Sequence, residues 1–298
     1  MSQSSGSTVP FSPGTRASYT DIENAVFANL RPFGEPACKA FDVVGNWIEA
    51  NPTQSTNARQ FFNAQHVSKR ATSESLEEIV ESTARLAREW VGTYQLRLNQ
   101  LSTKRLHWIL GSGSDEIDRP ADLLLAPPSA NCAKPRIAYN HAILSFNQDT
   151  SRVMLQARHT VMVCSRGAQA LRGPEARVIE HDEVLMIGNC VYVFEFTDFA
   201  KTRTYEDALV EFMRKRHSSN WSINKHLLPV SVQDPIILGN YFCSPSTFAQ
   251  GTFGKVAVGW TKGGRGVAIK TFKQPKKTEI ATHVRQMKEI GEHVSIKR

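Results

Sequence analysis

The sequence predicts an α+β chain in three parts: a helical N-terminal region, a β-sandwich, and a short strand-built segment at the C-terminal end. Three observations carry this. Apolar residues recur at three- and four-residue spacing before residue 103, short alternating runs between turn residues follow from Leu106 to Phe196, and two glycine turns enclose a strand within 249–272. A chain of 298 residues is long enough for two or three domains. The expected divisions are 1–19 for a disordered tail, 20–103 for the helical region, 104–200 for the sandwich, 201–234 for a helix and linker, and 235–298 for the last segment.

Composition narrows the class. Hydrophobic residues at 41% and charged residues at 21% are ordinary for a globular chain. No apolar run approaches the roughly 18 residues of a membrane helix, so a membrane partner is not expected. The opening MSQSSGSTVPFSPGT is polar and rich in Ser, Gly and Pro, without the charged and apolar regions of a signal peptide. Ser2 stands where N-myristoylation needs glycine. Cys38, Cys132, Cys164, Cys190 and Cys243 are scattered, with no CxxC spacing. That argues against a zinc site or a disulfide framework and places the chain inside the cell, in cytoplasm or nucleus. From Lys255 onward there are eleven Lys and Arg against three Glu, so this segment accounts for the whole +8. The excess belongs to the segment carrying the glycine turns, and nucleic acid becomes a minor hypothesis.

The helical expectations run in order. Thr20-Asp21-Ile22-Glu23 has capping-box spacing, with Ile22, Val26 and Leu30 at helical intervals. Pro36 opens a second pattern through Ala37, Phe41, Val44 and Ile48, closed by Asn51-Pro52. A short helix is expected around 58–67. Ser75 and Glu78 form another capping box, and Leu76, Ile79, Val80, Thr83, Ala87, Trp90, Val91, Tyr94, Leu98 and Leu101 make one apolar stripe. Nothing in 20–103 suggests chemistry.

From Leu106 the pattern changes. The runs LHWILG, ADLLLA, HAILSF, RVMLQA, TVMVCS, ARVIE, EVLMIG and CVYVFEF are of strand length, and their close spacing implies a sandwich or barrel. A helix follows over 204–216. Its basic end, Arg214-Lys215-Arg216 before His217, complements the helix dipole, a stronger reading than nuclear localisation. His226 to Asp234 reads as linker.

Over 106–199 the chain resembles a forkhead-associated (FHA) domain. Leu110-Gly111, ADLLL at 121–125, His141 in NHAILSF, and HDEVLMIGNCVYVFEF at 181–196 carry the resemblance. It implies a sandwich that binds phosphothreonine peptides, and so protein partners. The family's phosphate contacts are replaced, however. Ser112 stands for the arginine after glycine, Ala138 for the serine before histidine, and no Asn occurs between Gln148 and Gly188. A phosphate needs charge-assisted donors in fixed geometry to replace its water. The scaffold is therefore expected without its pocket, unless Arg136 or Arg158 substitutes.

The stretch AQGTFGKVAVGWTKGGRGVAIKTF (249–272) carries the strongest signal. A glycine turn that opens a helix would indicate a dinucleotide fold, and a P-loop would need Gly-Lys-Ser/Thr. Here Val256, Val258 and Trp260 alternate as a strand, and Gly263-Gly264 returns the chain into a second strand ending at Lys270 and Phe272. This layout resembles the small lobe of a eukaryotic serine/threonine protein kinase. AQGTFGKV matches the glycine-rich loop except at its first position, where Ala249 replaces glycine, and VAIK matches the lysine motif in full. The resemblance implies ATP as ligand. Gly251 and Gly254, with Thr252 and Phe253 between them, would bring backbone amides to the phosphates. Val256 and Ala268 would cover the adenine, Lys270 would hold the α- and β-phosphates, and Glu279, in preference to Glu289, would pair with Lys270.

His-Arg-Asp, the metal-binding Asn and Asp-Phe-Gly, which the resemblance would place in a large lobe, do not occur in these residues. No catalytic residue and no Mg²⁺ ligand is therefore assigned. Two functions remain open: the ATP-binding and regulatory portion of an FHA-linked kinase, incomplete as given, or a non-catalytic interaction protein with a vestigial kinase lobe.

Overall fold

The computed structural model describes residues 25–68, 88–101, 106–113, 121–128, 136–148, 150–164, 168–216, 236–251, 254–272 and 285. The expected tail, the two capping boxes, the stripe from Leu76 to Ala87, and the linker lie outside them.

The described part is mostly β-sheet. Strand β1 (Val26–Phe33) leads into helix α1 (Glu35–Ala50), the short helix α2 (Thr56–Arg59), β2 (Phe62–Ser68) and β3 (Arg88–Arg97). The sandwich continues with β4 (His107–Gly111), β5 (Leu123–Leu124), β6 (Ala142–Phe146), β7 (Val153–Ala157), β8 (Val161–Val163), β9 (Gln169–Leu171), β10 (Ala176–Val178), β11 (Glu183–Ile187) and β12 (Cys190–Phe196). Helix α3 (Arg203–Arg216) follows, and then β13 (Ile236–Leu238), β14 (Tyr241–Gly251), β15 (Gly254–Thr261) and β16 (Gly266–Phe272).

The helical reading of 20–103 is corrected at three places: 26–33, 62–68 and 88–97 are strands. Val26 and Leu30, or Tyr94 and Leu98, are four apart, a spacing that fits both a 3.6-residue and a 2-residue period. Leu96 decides the second case. It is buried between Tyr94 and Leu98, which only alternation allows. The helix expected from Pro36 does form, with proline at its first turn and Ala37, Phe41, Val44 and Ile48 buried. Phe41 stacks on Phe62 with centroids 4.4 Å apart and meets Tyr94 edge-on at 5.1 Å.

These strands belong to the sandwich. One sheet has seven strands in the order β2-β3-β1-β12-β11-β8-β9, and the facing sheet has five in the order β10-β7-β6-β4-β5. β1 therefore lies in the middle of a sheet, paired with β12 on one side and β3 on the other. The division expected at residue 104 falls inside this sandwich. Pro32 is tolerated in β1 because the ladder with β3 ends at Leu30, where no N–H is required of it. Phe27 joins the two sheets, 5.7 Å from the rings of both Trp108 and Phe146. α3, found where the sequence places a helix, caps this core with Tyr205, Leu209, Phe212 and Met213.

The last segment is a separate antiparallel sheet in the order β13-β14-β15-β16. β14 shifts register between Cys243 and Thr247, around Pro245, which has no N–H to give a ladder. The turn between β15 and β16 lies against the sandwich, where the Val178 N–H donates to the Lys262 carbonyl at 2.9 Å.

Candidate nucleotide-facing hairpin

Register brings the motif residues together. In the β14–β15 ladder Gly251 pairs with Gly254 and Ala249 with Val256. In the β15–β16 ladder Val256 pairs with Lys270 and Val258 with Ala268. Residues directly opposite in an antiparallel pair point to the same face. Ala249, Val256, Ala268 and Lys270 thus share one face of the sheet, beside the glycine turn. Ala268 and Lys270 are exposed and Val256 is half-buried, so the face is open. The Lys270 ammonium lies 5.1 Å from the centroid of the Phe272 ring, the next side chain on that face.

The two glycines differ. A Cβ on Gly254 would fall 2.2 Å from the Thr271 carbonyl oxygen, so only glycine lets β16 approach here. A Cβ on Gly251 would meet nothing within 4 Å. Nothing in the described chain requires glycine at 251. Thr252, Phe253 and Glu279 lie outside the described residues.

A second place was marked by the sequence, at the loop ends of the sandwich. His141 is buried and stitches three segments together. Its Nδ1 accepts the Ala138 N–H at 3.1 Å, and its Nε2 lies 3.1 Å from the Thr160 carbonyl oxygen, which fixes Nε2 as the protonated nitrogen. Its own carbonyl accepts the Arg158 and His159 N–H groups. Burial holds the imidazole below its ordinary pKa, partly offset by the bond to Thr160. The Ser112 N–H donates to the Ala138 carbonyl at 3.0 Å, so positions 112, 138 and 141 do converge. Their side chains are spent on the protein: His141 holds the loops, the Ser112 hydroxyl lies 3.3 Å from the Gly113 carbonyl, and Ala138 offers no donor. Arg136, at φ 48, and Arg158 are exposed on the neighbouring loops.

Sequence reading missed a third cluster. Arg152 and Glu180, from two sandwich loops, close on Trp260 of β15, and all three are buried. Nothing local marks it, because three isolated residues become neighbours only through the docking of two sheets. Among the described residues no group of three or more His, Cys, Asp or Glu is placed to hold a metal ion, and no helix is long and apolar enough to cross a membrane.

No protein-family model matches this chain, and no curated protein matches it. Solved structures are similar to it. Rad53 1–466 in complex with AMP-PNP is similar at a TM-score of 0.38 and 14% identity, covering 70% of this chain and 48% of that one. The present chain thus spans about half the length of that structure. An FHA domain described for phosphothreonine-dependent interactions is similar at a TM-score of 0.23 and 16% identity, covering 36% of this chain and 85% of that one. The FHA domain of the CT664 protein from Chlamydia trachomatis is similar at a TM-score of 0.23 and 18% identity, covering 35% and 84% respectively.

Proposed function

We propose that the segment from residue 236 binds ATP as the small lobe of a serine/threonine protein kinase, and that the FHA-like sandwich before it is the regulatory portion of the same protein. One observation carries this: strand register sets Ala249, Val256, Ala268 and Lys270 on one open face beside the Gly251–Gly254 turn. In this reading Val256 and Ala268 give the adenine an apolar surface. The turn at Gly251 leaves room for phosphate oxygens to reach backbone amides, and the Lys270 ammonium offsets their charge.

The chain's own residues bind and orient the nucleotide and go no further. Phosphoryl transfer depends on an aspartate that positions the acceptor hydroxyl and on ligands for Mg²⁺, and the motifs that carry them are not in this sequence. The purified chain is expected to incorporate no γ-phosphate into itself or a protein substrate. Incorporation that disappears in Lys270→Ala would overturn that expectation. Absence of any saturable ATP binding would instead favour the interaction-protein reading, in which the small sheet is a vestigial lobe.

A further inference from the structure

The small sheet meets the sandwich through a seat built on Trp260. The Arg152 guanidinium lies 3.7 Å above the indole ring, and the indole N–H donates to Glu180 Oε1 at 3.1 Å. Arg152 Nη1 stands 3.9 Å from Glu180 Oε2, which closes a three-membered interlock. Phe242 stacks beside the indole at 6.2 Å and 15°, and the apolar part of the seat is small: Met154, Val178, Phe242 and Trp260. The turn of the β15–β16 hairpin fits under the sandwich loops at Gly264, whose φ is +83 and whose Cβ would fall 2.8 Å from Asn147 Nδ2 and 2.9 Å from Met154 Sδ.

Two features distinguish this seat from a hydrophobic core. First, a buried charge pair and a cation–π contact stand beside its small apolar cluster and the Val178–Lys262 backbone hydrogen bond. Two buried ions recover their lost hydration only while every partner is in place, and removing one strands the other. Burial draws the Arg152 guanidinium below its ordinary pKa while Glu180 opposes this, which marks how strongly its charge is desolvated there. Second, the seat lies on the face of the sheet that carries Lys270. Val256, Val258 and Trp260 alternate along β15, so Trp260 faces the same way as Lys270, with Gly266 as its partner and Ala268 two residues further on. The seat is about 20 Å along the strand from the Gly254 turn, at about 3.3 Å per residue.

We propose that the sandwich rim is a latch: it holds in cis, through Arg152, Glu180 and Trp260, the end of the small sheet remote from the glycine turn, on the face that carries Lys270. The latch restrains the hairpin and closes one end of its open face. It rests on the geometry of the seat and holds whether or not the face binds ATP. Amide hydrogen exchange on the full chain, without nucleotide, tests it. In Arg152→Met and in Trp260→Phe, amides of 254–261 and 266–272 are expected to exchange at least about tenfold faster, while those of 142–146, 153–157 and 190–196 keep their protection. Unchanged exchange in the small sheet of both variants would overturn the latch. So would equal loosening of both sheets, which would make the seat part of the sandwich core. If Arg152→Met loosens the whole molecule, Trp260→Phe, altered on the small-sheet side alone, decides.

Discussion

Lys270 stands directly opposite Val256 in the β15–β16 ladder, one alternation beyond the Val258–Ala268 pair. This register makes a glycine turn and a lysine motif into one surface. Gly251 and Gly254 flank the turn in different surroundings: a Cβ would clash at 254 and meets nothing at 251.

Gly254→Ala should destabilise the small sheet by roughly 1–3 kcal/mol, because its methyl group meets the backbone of Thr271. Gly251→Ala should leave stability within about 0.5 kcal/mol, since the new methyl meets no protein atom. Denaturant unfolding of the full chain compares the two. A larger loss for Gly251→Ala would show that position 251 is packed against other protein atoms in solution.

The corrected N-terminal strands give a second test. A fragment limited to 104–200 lacks β1–β3, so β12 loses one of its two neighbouring strands and the core loses Phe27, Tyr94 and Leu96. That fragment should show no cooperative unfolding, whereas 25–216 should unfold in one transition. Within the full chain Phe27→Ala should cost about 3–5 kcal/mol. A stable, cooperative 104–200 fragment would return the sandwich boundary to residue 104.

Phosphothreonine binding by the sandwich should be weak. Three charge-assisted or hydrogen-bonded contacts are missing, each worth about 1.5–3 kcal/mol, which together remove several powers of ten in affinity. The convergence of Ser112, Ala138 and His141 brings no phosphate donor with it beyond one hydroxyl. Titrating the full chain with a phosphothreonine peptide library checks this. Phosphate-dependent micromolar binding would assign the missing contacts to Arg136 or Arg158.

His141 should make the sandwich acid-sensitive. Its folded pKa is held below 6.5, so the unfolded chain takes up this proton first as pH falls. The contribution is complete above about pH 7.5, declines as pH drops below 6.5, and levels off once pH passes the lower folded value. Thermal unfolding between pH 8 and 5 should show a drop in Tm that is smaller in His141→Gln. An equal pH dependence in both would place the effect elsewhere.

The legible parts of the sequence were those with local causes. A proline-opened helix, alternating strands after 106, and two glycine turns each state their structure within a few residues. The strands at 26–33 and 88–97 were not legible, because their four-residue apolar spacing satisfies two periods and their partners lie far along the chain: Asn29 pairs with Glu195. The hairpin's shared face could be inferred from alternation alone. The seat at Trp260 could not, since its partners Arg152 and Glu180 carry no pattern of their own.

Titration of the full chain with ATP, compared with Lys270→Ala, tests the central claim most directly. The open face, with the Lys270 ammonium as the strong phosphate partner the motif supplies, predicts weak, saturable binding, with a dissociation constant on the order of 0.1–1 mM. Lys270→Ala should weaken it at least tenfold, about 1.4 kcal/mol, without changing the unfolding transition. Binding of the same strength in Lys270→Ala, or no saturable binding at about 10 mM ATP, would contradict the account.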